Sequence, residues 1–258
     1  MPRAKLKPAE SSDGAPAPAS STSHAFYTEA LKLLIASGIP FLVAGTYALN
    51  AYTGVRRQTK DIDVFCKPGD YPRILHLFQE QGCEPVIEDE RWIAKVRKGE
   101  DFFDIIFNST AGVTPVNDLW FAETRKAEIF GSTVCILPPT EFVWSKAFVQ
   151  NRDRYDGADI AHVMLKEHEQ IDWRRLLTYM EQYWEVLLIH ILNFRFIYPT
   201  ERHRVPQWLM DELMERLRLQ EGLPVPQTRV CRGRMFSRND YEIDVMEWDF
   251  VDIVGDST

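Results

Sequence analysis

Short apolar runs separated by glycine turns fill the chain between residues 40 and 137, and helical patterns replace them after Pro138. Apolar runs of about four to eight residues that are bounded by glycine predict strands. Apolar residues that recur every third or fourth position predict helices. The chain is therefore expected to be an α+β protein, with a mixed β-sheet flanked by helices and then a helical C-terminal half.

Four segments are predicted along the chain. Residues 1–23 are rich in Ala, Pro, Ser and Gly and nearly lack large apolar side chains, which is typical of disorder. Residues 24–138 contain the strand-like runs and form the predicted mixed domain. A helical domain is predicted for residues 139–222, and residues 223–258 form an acidic and aromatic tail whose pattern does not decide its structure.

Composition limits where the protein works. The formal net charge is -8, which argues modestly against a long nucleic-acid partner. The 4 cysteines are scattered without a C-x-x-C pair, so reduced thiols are expected. No apolar run is long enough to span a membrane, and the basic N-terminal segment is not followed by the apolar core of a secretory signal. We expect a cytoplasmic protein with no membrane partner.

A D-x-D pair lies in the predicted strand "DIDVF". Residues two apart in a strand point to the same face, so Asp61 and Asp63 project together while Ile62 and Val64 point towards the core. Two neighbouring carboxylates repel each other unless a cation lies between them, and Mg²⁺ prefers carboxylate oxygens. An ordinary polar face of a strand would show the same spacing, so the pair alone does not decide its role.

Two further features surround this pair. Asp104 interrupts the apolar run "DFFDIIF", where a buried carboxylate is costly without a partner; a metal explains it better than an arginine. Gly45 ends the run "PFLVAG" and precedes a short predicted helix, and the N–H groups of such a turn suit a phosphate. A turn without a ligand remains the alternative. Two β-hairpins are also predicted, across Lys98–Gly99 and around Gly131–Ser132.

The order of these features resembles the nucleotidyltransferase superfamily that shares its catalytic domain with DNA polymerase β. In that superfamily a G-[GST] turn is followed by R-x-T-x-D-h-D-h and by a third strand aspartate. The matching residues in this sequence are Gly45, Thr46, Arg57, Thr59, Asp61, Asp63 and Asp104. Residues 138–160 resemble the minimal bacterial AbiE-toxin-type enzymes, through Lys146, Asp156 and Asp159, and the whole resemblance covers about residues 25–165. Tyr155 and Ala44 depart from the common pattern, in which a lysine and a glycine occupy those positions.

The resemblance implies a catalytic domain at 24–138 that transfers a nucleoside monophosphate from a nucleoside triphosphate to an acceptor hydroxyl, releasing pyrophosphate. It implies a two-metal Mg²⁺ site, with Mn²⁺ as a possible substitute. The implied catalytic and metal-binding residues are Asp61, Asp63 and Asp104, and the implied nucleotide-binding residues are Gly45, Thr46, Arg57, Thr59, Lys146 and Asp159.

The acceptor stays open at this point: a small hydroxylated molecule, a tRNA end and a protein side chain are all compatible with the sequence. Two other classes of function also remain. One is a non-catalytic nucleotide-binding or toxin–antitoxin-type partner that retains the fold; the intact Asp61, Asp63 and Asp104 argue against it. The other is a metal-dependent phosphohydrolase, which is weaker because no histidine lies near either aspartate motif.

Overall fold

The computed structural model describes residues 21–57, 59–109, 112–151, 154–233, 235 and 238–253. The strands are β1 Leu42–Val43, β2 Asp63–Phe65, β3 Glu84–Asp89, β4 Ile93–Lys98, β5 Asp101–Ile106, β6 Arg125–Ile129, β7 Ser132–Ile136, β8 Val230–Cys231 and β9 Val251–Asp252. The helices are α1 Ser21–Ser37, α2 Gly45–Thr53, α3 Tyr71–Glu80, α4 Pro139–Lys146, α5 Gly157–Glu167, α6 Trp173–Tyr179, α7 Trp184–Ile197, α8 Gln207–Glu221 and α9 Arg238–Met246. Among the described helices, none combines the length and the apolar character needed to cross a membrane.

A mixed 7-stranded sheet forms the centre of the molecule, with the order β3-β4-β5-β2-β1-β7-β6. The pairs β2–β5 and β1–β7 are parallel, and the remaining neighbours are antiparallel. Helices cover the sheet and continue beyond it as the predicted helical half. The α+β class and the mixed sheet predicted from the sequence are therefore confirmed.

Helices α1 and α3 pack on the same face of the sheet. The ring of Phe103 on β5 contacts Phe26 of α1 and Phe78 of α3, with centroid separations of 6.1 and 4.9 Å. Because side chains alternate along a strand, Asp104 points to the opposite face from Phe103. That opposite face is the one that meets the helical half, where α5 packs against α2, α4 and α7.

Both predicted hairpins are present, as β4–β5 and β6–β7. Glycine at φ 65° in the turn after Lys98 explains the tight connection, since this left-handed conformation favours glycine. Strand β3 was not predicted, because its sequence "EPVIED" is polar and its residues are at most half-buried at the sheet edge. In the tail, β8, β9 and α9 form a small separate element.

Two predicted boundaries can be compared with the structure. Residues 1–20 of the predicted disordered segment lie outside the described residues, and α1 begins at Ser21, ahead of the predicted boundary at 24. The helix predicted after Pro138 ends at Lys146, and Gln150 instead forms an isolated bridge with Tyr155.

Candidate active site

The parallel pairing of β2 with β5 brings two predicted metal ligands together. Asp63 is the direct register partner of Asp104, although 41 positions separate them in the chain. Ile62 and Val64 are each 1% exposed, as the strand alternation predicted. Asp61 lies just before β2, and its Oδ1 accepts a hydrogen bond of 2.8 Å from the hydroxyl of Thr59.

Gly45 opens α2 directly after β1 and lies against Asp63. A Cβ at Gly45 would lie 1.7 Å from Asp63 Oδ2, and the residue has φ +56°, so both space and backbone conformation require glycine. The backbone N–H of the preceding Ala44 donates to the carbonyl oxygen of Asp63 at 2.9 Å. The first N–H groups of α2, which have no partner within the helix, therefore begin next to the carboxylates.

Burial and neighbouring carboxylates raise the pKa values of Asp63 and Asp104. Burial raises the pKa of Asp63 above its ordinary value, and the nearby charge of Asp61 raises it further. Burial also raises the pKa of Asp104 to about 6, although the ammonium group of Lys95 opposes this shift. A divalent cation would relieve the same repulsion, so the electrostatics favour cation binding here.

Lys95 is a neighbour of the site that the sequence interpretation missed. It lies on β4 opposite Asp104, and its Nζ is 3.2 Å from Asp104 Oδ1. From the sequence, an arginine was the alternative partner of Asp104. In the structure its partner is Lys95. Lys95 also lies 3.4 Å from Glu88 and sits over the ring of Phe102, with its Nζ 4.6 Å from the centroid.

Three of the predicted nucleotide-binding residues meet at the junction of the two halves. Nη1 and Nη2 of Arg57 donate to the two carboxylate oxygens of Asp159, at 2.7 and 2.6 Å. Arg57 Nε lies 3.3 Å from the hydroxyl of Thr46, in the turn that begins α2. The structure thus links the Gly45–Thr46 turn to helix α5.

Lys146 lies at the same junction and is paired with two carboxylates. Its Nζ is 2.5 Å from Asp156 Oδ2 and 3.2 Å from Asp159 Oδ2, and its side chain is 9% exposed. Arg154 also contacts Asp156, at 3.0 Å. Burial alone would raise the pKa of Asp156, but Lys146 and Arg154 lower it below its ordinary value. The nearby Arg152 lies outside the described residues.

One cleft between the sheet and the helical half brings part of this set together. Gly45, Asp63 and Asp104 line it on the sheet side, and Lys146, Arg154 and Asp156 line it on the helical side. The other predicted site residues, Thr46, Arg57, Thr59, Asp61 and Asp159, are not among its lining residues. Beside Asp104, the wall near β4 and β5 carries apolar and uncharged polar side chains, namely Trp92, Ile93, Ile106, Asn108 and Ser109. The lining therefore combines charged and apolar groups.

The carboxylate oxygens in and beside the cleft fit a hard divalent cation. Asp61, Asp63 and Asp104 offer only carboxylate oxygens, which Mg²⁺ prefers, and the buried Oδ1 of Asp104 has no hydrogen-bond partner among the described residues. In the described part of the chain, no three His, Cys, Asp or Glu side chains converge closely enough to hold an ion as they stand. The oxygen ligands for a cation are therefore present, but Thr59 contacts the carboxylate of Asp61 and Lys95 contacts that of Asp104.

Comparison with known protein families decides the class. Residues 20–190, well over half of the chain, match the model of a family described as "Uncharacterised nucleotidyltransferase". The chain belongs to this nucleotidyltransferase family. No curated protein is a significant match to this nucleotidyltransferase.

Several solved structures are similar to this nucleotidyltransferase. An antigenic nucleotidyltransferase-like protein from Paracoccidioides brasiliensis has a TM-score of 0.46 and 16% identity, over 72% of this chain and 93% of that one. The antibiotic-resistance factor ANT(2'')-Ia has a TM-score of 0.43 and 16% identity, over 70% of this chain and 96% of that one. The lincosamide antibiotic adenylyltransferase LnuA has a TM-score of 0.38 and 13% identity, over 54% of this chain and 94% of that one.

Proposed function

We propose that the protein transfers a nucleoside monophosphate from a nucleoside triphosphate to an acceptor hydroxyl, with Mg²⁺ as the metal and pyrophosphate as the leaving group. The observation that supports this most strongly is the register of Asp63 with Asp104 beside the Gly45 turn. It brings two carboxylates and the N-terminus of α2 together in the lining of one cleft. That combination suits a phosphate group and the cation that accompanies it.

The three aspartates would have separate roles. Asp61 and Asp63 would hold the metal shared with the triphosphate, and Asp104 would complete a second site; Mn²⁺ suits the same oxygens. Bound Mg²⁺ would stabilise the attacking and leaving oxygens of an in-line displacement at the α-phosphorus. Asp104 would also act as the general base that accepts the proton of the acceptor hydroxyl.

The Gly45 turn and Lys146, which both line the cleft, would bind the triphosphate. The N–H groups at the start of α2 would donate to its oxygens through the Gly45–Thr46 turn. Lys146 has three N–H donors, and Asp156 and Asp159 engage two of them, which leaves one for a phosphate. In this proposal Asp159 acts on the nucleotide by orienting Lys146 and Arg57, and Thr59 acts by fixing Asp61.

The acceptor that the cleft favours is a small hydroxylated molecule. Its wall beside Asp104 carries apolar and uncharged polar groups such as Trp92, Ile106 and Asn108. A polynucleotide acceptor would require cationic side chains along its path, since phosphate contacts supply most of its affinity. A tRNA end, or a protein side chain as the AbiE-type resemblance suggests, is the alternative that the experiment below separates.

The test is transfer of label from α-phosphate-labelled nucleoside triphosphates. The protein is incubated with Mg²⁺, each triphosphate in turn, and cell extract fractionated into small molecules, RNA and protein. We expect label in the small-molecule fraction, and none with the Asp61→Asn/Asp63→Asn double variant. Equal labelling by both proteins would contradict the proposal. Mg²⁺-dependent triphosphate binding without transfer to any fraction would instead identify a non-catalytic binding module.

A further inference from the structure

We propose that Lys95 is a positioning residue that holds Asp104 in the metal-free protein and competes with the second divalent cation for that carboxylate. The inference rests on the proposed function, because it concerns the same metal site. It makes a separate claim, however, since it concerns metal binding and can be measured without an acceptor.

The geometry places Lys95 where a cation would act on Asp104. The two residues are register partners on antiparallel strands, and Nζ lies 3.2 Å from Oδ1. Both side chains are largely buried, at 16% and 11% exposure. Asp104 Oδ1 has no hydrogen-bond partner among the described residues, so the ammonium charge of Lys95 is the main compensation for that oxygen. An oxygen compensated only by an ion pair is available to a stronger cation.

Lys95 retains other partners when it leaves Asp104. Its Nζ is 3.4 Å from a carboxylate oxygen of Glu88 and 4.6 Å from the centroid of the Phe102 ring. A small rotation of the flexible lysine stem can therefore exchange one anion for another without leaving the ammonium group unpaired. Lys95 can therefore move from Asp104 towards Glu88 when a metal binds Asp104, as competition between the lysine and the metal requires.

The charges around the site set the direction of the effect. Lys95 is a positive charge beside Asp104, and it disfavours the approach of a second cation to the same oxygen. Removing this charge while keeping the length of the side chain should strengthen metal binding. Because Asp104 lines the cleft and solvent can reach its carboxylate there, we expect roughly a threefold to tenfold change in the dissociation constant.

The experiment measures Mn²⁺ binding to the full chain by electron paramagnetic resonance, with and without a non-hydrolysable ATP analogue. Lys95→Met should bind Mn²⁺ roughly threefold to tenfold more tightly than the wild type, and Lys95→Arg should stay close to it. Arg97→Met is the matched control, because Arg97 contacts the same Glu88 and the same Phe102 ring. Unchanged or weaker Mn²⁺ binding by Lys95→Met would overturn the inference.

A second measurement needs no substitution and guards against a variant that fails to fold. Acetylation of Lys95 in the wild type is followed by mass spectrometry while Mn²⁺ is added, and its rate should rise as the ammonium group leaves Asp104. A rate that stays constant at saturating Mn²⁺ would also overturn the inference. Loss of transfer in the Asp61→Asn/Asp63→Asn variant together with unchanged Mn²⁺ binding by Lys95→Met would leave the proposed function intact and reject only the role of Lys95.

Discussion

Arg57 and Asp159 form a bidentate ion pair across 102 positions of sequence, with both N–H···O distances below 3 Å. Arg57 belongs to the segment that leads into the D-x-D strand, and Asp159 lies in the first turn of α5 with its side chain 2% exposed. The helical half is thereby fastened to the segment that positions the predicted metal ligands.

Replacing Arg57 by lysine should loosen this connection. Lysine keeps the charge but cannot make two parallel hydrogen bonds to one carboxylate. Since the Arg57 side chain is 44% exposed, we expect a loss of only about 1 kcal/mol in the free energy of unfolding. Urea unfolding measures this loss, and the KM for the triphosphate should rise. Arg56→Lys, at the exposed neighbouring position, is the control; an equal loss there would contradict the role of the ion pair.

Gly45→Ala should remove activity out of proportion to its effect on stability. The new Cβ would overlap the carboxylate of Asp63, and the positive φ costs about 1–2 kcal/mol for a residue other than glycine. We expect at least a roughly hundredfold loss of transfer, by analogy with misplaced catalytic groups. Gly54→Ala is the matched control, because Gly54 has φ +73° and nothing within 4 Å of its added Cβ. Similar activity losses in both variants would attribute the effect to backbone strain alone.

Arg175→Met should destabilise the protein without acting on the cleft. Glu141 is fully buried in α4, and Arg175 Nε lies 3.1 Å from its Oε1. Losing the arginine leaves a buried carboxylate without a cationic partner among the described residues, although Tyr179 still donates a hydrogen bond to it, and this should cost about 3 kcal/mol. Thermal or urea unfolding measures the loss. The double variant with Glu141→Leu should recover most of it, and a double variant as unstable as the single one would count against this explanation.

We expect the buried His190 to lower the free energy of unfolding in mild acid. Burial lowers the pKa of this histidine below its ordinary value of about 6.5, and its Nε2 lies 2.8 Å from the carbonyl oxygen of Ala147. Above about pH 6.5 the ring is neutral in both the folded and the unfolded chain, so its titration adds nothing. Below that pH the unfolded chain takes up a proton that the folded chain excludes. The contribution of His190 to the free energy of unfolding should therefore fall by at most about 1.4 kcal/mol per pH unit, and it is obtained by comparing variants, because the raised pKa of Asp104 acts in the opposite direction.

Urea unfolding between about pH 7.5 and pH 5 measures that slope. The variant His190→Gln keeps a polar group of similar reach near Ala147 and should flatten the decrease. His76→Gln changes an exposed histidine on α3 and should leave the slope as it is in the wild type. A slope that is the same in all three proteins would exclude His190 as its source.

Short-range sequence patterns were sufficient to predict which residues on the sheet side of the cleft lie together. Glycine before a helix, alternation in "DIDVF" and an aspartate inside an apolar run each follow from short-range rules, and the structure places Gly45, Asp63 and Asp104 in one cleft. Lys95 was missed because the hairpin turns at Gly99–Glu100, one residue beyond the predicted Lys98–Gly99. The observed turn pairs residue 95 with residue 104, whereas a turn centred on Lys98–Gly99 would have paired residue 95 with residue 102.

The contacts on the helical side of the cleft could not be predicted from short-range sequence patterns. Whether Lys146 faces a phosphate or a carboxylate depends on how α4, α5 and the Arg57 segment meet. The contact that joins this segment to α5, between Arg57 and Asp159, spans 102 positions. Spacing on a helix placed Asp156 and Asp159 on one face, but it could not assign Asp159 to Arg57 and Lys146 together. The edge strand β3 was missed for a related reason, because partly exposed residues carry little of the apolar pattern on which strand prediction depends.

The register of Asp63 with Asp104 also has a consequence for folding. In the chain, α3, β3 and β4 lie between these two strands, so their pairing closes a long loop. A slip of one residue would turn one carboxylate to the opposite face of the sheet. No partly folded chain that lacks this pairing can bring the three aspartates together. Recovery of nucleotidyl transfer during refolding would therefore time the completion of the central sheet, later than any signal from the helices alone.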